Sequence, residues 1–159
     1  MKRQAFASAL FISLGLAGAA VAEPTERGRY LVQTSGCNDC HTPGYMQVDG
    51  QLPTAQWLTG SSVGYQGPWG TTYAVNLRLY MRNLSEAQWL VRARQPMRPP
   101  MPWFNLREFS DQDLIAIYRF VRGLGPAGEV APLAVEPGKA VTTPYFEFVP
   151  KMPAKVARH

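Results

Sequence analysis

Polar and apolar positions follow a helical period in three stretches of this chain. The clearest opens at Ser110, where Leu114, Ile117, Tyr118 and Val121 fall at i, i+3, i+4 and i+7 and form one apolar stripe. Ser110 suits an N-cap, Asp111 and Asp113 place acids in the first turn, and Arg119 and Arg122 place bases in the last turns. Gly123 and Gly125-Pro126 stop this helix. A second helix is predicted from Ser85 to Ala93 or Arg94, because Ser85-Glu86-Ala87-Gln88 spells a capping box and Trp89, Leu90 and Ala93 share a face. A third, over Pro24 to Thr34, presents Gly28, Tyr30 and Leu31 and ends at Ser35-Gly36.

Elsewhere the period fades. Tyr45 to Leu79 is rich in Gly, Pro, Ser, Thr and aromatics, punctuated by Gly60, Gly64, Gly67-Pro68 and Gly70. So long a loop is unusual in a compact domain, unless its side chains pack on a large flat cofactor instead of on each other. Pro96, Pro99, Pro100 and Pro102 forbid helix over the segment to Trp103 and hold it extended. Beyond Gly125 the chain is Pro-rich, with one strand-like piece around Val141 to Val149 in which Phe146 and Phe148 share a side. The pattern predicts a mainly α fold of short helices and long loops, with the Pro-rich extension over residues 126–159 packed back on it.

The front of the chain belongs to a different class. Lys2 and Arg3 precede an apolar run from Ala5 to Val21, and Ala20-Val21-Ala22 is a small-residue cleavage site. Residues 1–22 therefore read as a secretory signal peptide, the run being short of the ~20 apolar residues of a spanning helix. This predicts export to the periplasm and leaves residues 23–125 as the main domain. Losing Lys2 and Arg3 takes the formal charge from +5 to +3. So small an excess does not suggest nucleic-acid binding. Locally, Arg78, Arg82, Arg92, Arg94 and Arg98 lie in a stretch whose only acid is Glu86, a candidate for pairing with acidic cofactor groups or an acidic partner.

Candidate chemistry centres on Cys37-Asn38-Asp39-Cys40-His41. C-x-x-C-H is the attachment pattern of a c-type haem: two thiols can form thioethers to the porphyrin, and the adjacent imidazole can bind iron. An exported protein would otherwise pair its cysteines as a disulfide, and a thioredoxin-like pair is expected near a βαβ pattern that these flanks lack. A structural zinc site wants four protein ligands, but the chain has no further Cys, and its only other histidine is the terminal His159. A thioether suits the second axial position of haem iron. Met46 follows His41 too closely, Met81 adjoins a helix start and Met152 lies in the tail. Met97 and Met101 sit in the proline-stiffened segment, and Met101, between Pro100 and Pro102, is the preferred ligand with Met97 as the alternative.

With these residues in place, the sequence resembles the class I monohaem c-type cytochromes of bacterial periplasms. The resemblance covers roughly Thr25 to Gly125. It rests on Gly28-Arg29-Tyr30-Leu31, on Cys37 to His41, on Gly67-Pro68-Trp69-Gly70 with Tyr73 and Asn76, on Pro99 to Trp103, and on Ser110 to Gly123. It implies the cytochrome c fold around one covalent haem c. Cys37 and Cys40 would carry the thioethers, with His41 as proximal and Met101 as distal iron ligand. It further implies that the first and last helices cross near Gly28, with Tyr30 on Leu114 and Tyr118. Trp57, Trp69, Tyr73 and Trp103 are candidates to line the haem or bond its propionates. The expected function is electron transfer rather than catalysis, with redox proteins of the periplasm as partners and membrane contact only through them. A subunit role in a dehydrogenase or oxidase complex is the alternative, and a haem sensor with an open iron site a more remote one.

Overall fold

The computed structural model describes residues 24–152; the expected signal peptide and His159 lie outside them. Six helices and a small sheet make up the described chain. Helix α1 (Pro24–Thr34) turns through Gly36 into α2 (Cys37–His41). Two short 3₁₀ turns then lead to a hairpin of β1 (Gly64–Gly67) and β2 (Gly70–Tyr73). Helices α3 (Leu77–Tyr80), α4 (Glu86–Ala93), α5 (Trp103–Glu108) and α6 (Asp111–Gly123) follow, and β3 (Tyr145–Glu147) closes the order. Among the described residues no helix is long and apolar enough to cross a membrane.

The framework is the crossing of α1 and α6. A side chain at Gly28 could not exist there, because its Cβ would fall 2.0 Å from the Ala116 carbonyl oxygen and 2.7 Å from Phe120 Cβ. Around that contact Leu31 and Val32 of α1 share one buried core with Leu114, Ile117 and Val121 of α6, removing apolar surface from water. Tyr30 does not join them. It is 57 % exposed, with the Arg27 guanidinium 5.7 Å from its ring centre. One step along a 3.6-residue turn rotates a side chain by about 100°, and that step hands the interface to Leu31 and Val32. Arg27 instead ties the helices by an ion pair to Asp113, 2.9 Å.

Both predicted caps form. The Ser85 hydroxyl accepts from Gln88 N–H while the Gln88 side chain accepts from Ser85 N–H, and the Ser110 hydroxyl accepts from Asp113 N–H. Helix α4 docks on α6 through Trp89, whose indole N–H donates to the Leu114 carbonyl at 2.8 Å. Tyr118 O–H reaches back to the Leu84 carbonyl at 2.6 Å.

Two elements depart from the expected pattern. The long loop contains an antiparallel hairpin, with Gly67 opposite Gly70 around Pro68-Trp69. That turn lacks the Asn-Gly type of signal that marks most two-residue hairpins. Helix α5 starts directly after Pro102, since a proline at a helix entrance forfeits no internal hydrogen bond.

The segment after Gly125 lies on this framework. β3 pairs in parallel with β1, giving the sheet order β2-β1-β3, and Val135 bridges to Thr71. Its aromatics meet the hairpin: Phe146 and Phe148 lie 5.9 and 5.7 Å from Tyr65, and Phe148 lies 6.4 Å from Trp69.

Candidate haem site

Helix α2 is too short to hold itself, so other segments fix it. Gly60 N–H donates to the His41 carbonyl at 2.8 Å. The Thr42 hydroxyl donates to Asn38 Oδ1 at 2.7 Å and accepts from Leu58 N–H at 2.8 Å. Gly60 permits this approach: its φ is +81°, and a Cβ there would fall 2.6 Å from the Asn76 nitrogen.

The His41 ring is buried, with Nδ1 2.7 Å from the Val75 carbonyl. A carbonyl only accepts, so Nδ1 carries the proton and Nε2 keeps its lone pair for a metal. Burial lowers the pKa of His41 below its ordinary value, outweighing the Val75 bond, which raises it. The neutral, ligating form of the ring is thereby favoured.

Beside it opens a cavity of about 650 Å³, within the range of cofactor sites. Cys37, Cys40 and His41 reach it from α2, Met97 and Met101 from the loop between α4 and α5, and Leu106, Ile117 and Val121 from the helical core. The four residues expected at the iron and thioethers therefore border one space, and so does the alternative Met97. Burial pushes the Cys37 thiol up to about 11. A redox-active C-x-x-C needs a stabilised thiolate, so this setting disfavours dithiol exchange and suits a covalently capped sulfur. Among the described residues no three His, Cys, Asp or Glu side chains gather to hold a metal ion by themselves.

The donor set fits a haem: two thiols, one imidazole with a free lone pair, and thioethers around an apolar space. One further observation agrees. The Thr72 hydroxyl, on the cavity lining, is buried without a hydrogen-bond partner and could donate to a carboxylate.

Other expected lining residues are placed elsewhere. Of Trp57, Trp69, Tyr73 and Trp103, only Tyr73 borders the cavity, and its hydroxyl pairs with Thr143 at 2.6 Å. The Trp57 indole donates to the Leu52 carbonyl within the core, Trp69 donates to the Tyr65 carbonyl, and Trp103 lies under the Arg107 guanidinium. In their place stand Tyr65, Tyr80, Trp89 and Phe109. Periodicity put Trp89 on the inner face of its helix but gave no sign that it lines the cavity, and it did not mark Tyr65, Tyr80 or Phe109 at all.

The arginine cluster also divides. Arg92 and Arg98 border the cavity. Arg78 is buried and donates to the carbonyls of Gly125 and Ala55 at 2.6 Å each and to that of Leu124, closing the C-terminal end of α6. Arg94 joins the Arg107 and Phe109 carbonyls and Asp111. Those two arginines hold the structure together rather than face a ligand.

A sequence model of the family described as Cytochrome c matches residues 25–125, nearly two thirds of the chain. No curated protein and no solved structure matches.

Proposed function

We propose, for a chain that belongs to the cytochrome c family, the function of a periplasmic electron carrier whose single haem c is held between His41 and Met101. The family binds haem c covalently and transfers electrons through it. When bound, the haem supplies a one-electron iron couple. Cys37 and Cys40 would carry the thioethers, and the Val75 carbonyl would orient His41 and strengthen it as a donor. His41 and Met101 would be the residues that ligate the iron, and a haem held by both would supply electron transfer without bond formation to a substrate. The Thr72 hydroxyl, with Arg92 and Arg98, would receive the propionates.

The observation that carries this reading is the convergence of Cys37, Cys40, His41 and Met101 on one apolar cavity. The optical sulfur-to-iron charge-transfer band tests it: the band should vanish in Met101→Ala and persist in Met97→Ala, and the reverse outcome moves the ligand to Met97. Localisation is tested by fractionating cells that express the full chain. Membership of a dehydrogenase or oxidase complex is a second reading, favoured by the half-exposed aromatics Tyr145 and Phe146 of β3 and Phe148 just after it. Co-purification of a partner subunit supports it, and elution as a monomer counts against it.

A further inference from the structure

The family match ends at residue 125, yet residues 130–134 border the haem cavity. This segment is fastened at both ends. At its start the Asn76 amide donates to the carbonyls of Ala127 and Glu129, at 2.8 and 3.0 Å. At its end Val135 and Thr71 exchange two backbone hydrogen bonds of 2.8 and 2.9 Å. The fit there is close: a Cβ on Gly70 would lie 2.2 Å from the Val135 carbonyl oxygen. One residue further, Glu136 forms a 2.6 Å ion pair with Arg98, which belongs to the methionine loop and borders the cavity. Between the fastenings Ala131 and Pro132 are half-buried, while Val130 and Leu133, 78 % and 86 % exposed, stand as an apolar lip.

We propose that residues 127–136 form a strap across the cavity mouth that keeps water and small ligands from the methionine side of the haem. The proposal rests on the haem reading above and concerns a segment outside the family match. Asn76 is then a positioning residue, acting on the iron through the strap. Excluding water disfavours the more highly charged ferric state, so an intact strap raises the reduction potential. Holding Arg98 restrains the methionine loop, so it also slows replacement of the sulfur ligand.

The experiment uses the full chain with haem attached, and imidazole as the entering ligand. Asn76→Asp keeps the oxygen that accepts Leu79 N–H at 3.1 Å and so preserves the cap of α3. It replaces both donations to the strap by a carboxylate oxygen facing two carbonyls, which should populate the open strap about tenfold more or beyond. Imidazole association with the ferric protein should quicken by that factor. Amide exchange should lose protection over residues 127–136 alone. Glu136→Gln, at an exposed pair that folding tolerates, should quicken imidazole entry by about twofold. If haem is bound and neither variant quickens ligand entry, the strap is overturned while the haem reading stands. An unsubstituted chain that fails to stain for covalent haem overturns both.

Discussion

The two segments that would supply the axial ligands are fixed to very different degrees. His41 sits on a helix tied to Gly60, Leu58 and Val75, which belong to the long loop and the hairpin's exit, and its ring is buried. Met97 and Met101 are half-buried on a loop whose backbone bonds are short-range: Met101 N–H to the Arg98 carbonyl and Trp103 N–H to the Met101 carbonyl. What restrains that loop comes largely from side chains, the Arg98–Glu136 pair and the arginine at the end of α4. Contacts spread over several elements fail together, whereas a few exposed ones open locally. The histidine side is therefore expected to persist through fluctuations that open the methionine loop.

The comparison can be broken most severely at the cysteines. Replacing Cys37 and Cys40 by Ala should abolish covalent haem altogether, read as loss of peroxidase staining after denaturing electrophoresis. Met101→Ala should be milder, retaining stainable haem while losing the charge-transfer band. Loss of haem from that variant would show that the two sides are not independent. Next comes the framework beneath the histidine side: Gly28→Val drives atoms into the Ala116 carbonyl and should cost about 3 kcal/mol or more. Its urea midpoint checks this, and an unchanged midpoint would mean that the α1–α6 contact can yield. Thr42→Val removes a buried hydroxyl that serves Asn38 and Leu58, and should cost about 1–3 kcal/mol by leaving both unpaired. Faster proteolysis around α2, with the methionine band intact, is the expected signature.

The smallest effect concerns acid. The Arg27 guanidinium holds the Asp113 carboxyl below its ordinary value, against burial, which raises it. A depressed folded value means that the stabilisation is present above the unfolded carboxylate pKa and is lost as pH falls through the folded one. Asp113→Asn should therefore flatten a small part of the stability decline below about pH 4 and leave neutral pH little changed, since half-exposed pairs contribute weakly.

The chemistry was legible in the sequence because it is local. C-x-x-C-H is contiguous, the caps at Ser85 and Ser110 lie three residues from their partners, and the stripe of α6 repeats within two turns. Each depends on spacing that a short stretch of chain fixes by itself. Only the tertiary structure decided what required distant partners. It chose Leu31 and Val32 over Tyr30 as the face of α1, turned Arg78 into an internal clamp on α6, and set Tyr65 and Thr72 at the cavity in place of three of the expected aromatics. It also brought residues 130–134 to the edge of that cavity. Pairings across fifty or more residues, such as Asn76 with Ala127, depend on how many elements pack at once, and no periodicity records that. The sequence by itself determined which candidate ligands the chain offers a haem; the fold decided that they border one cavity, what surrounds them and how tightly each side is held.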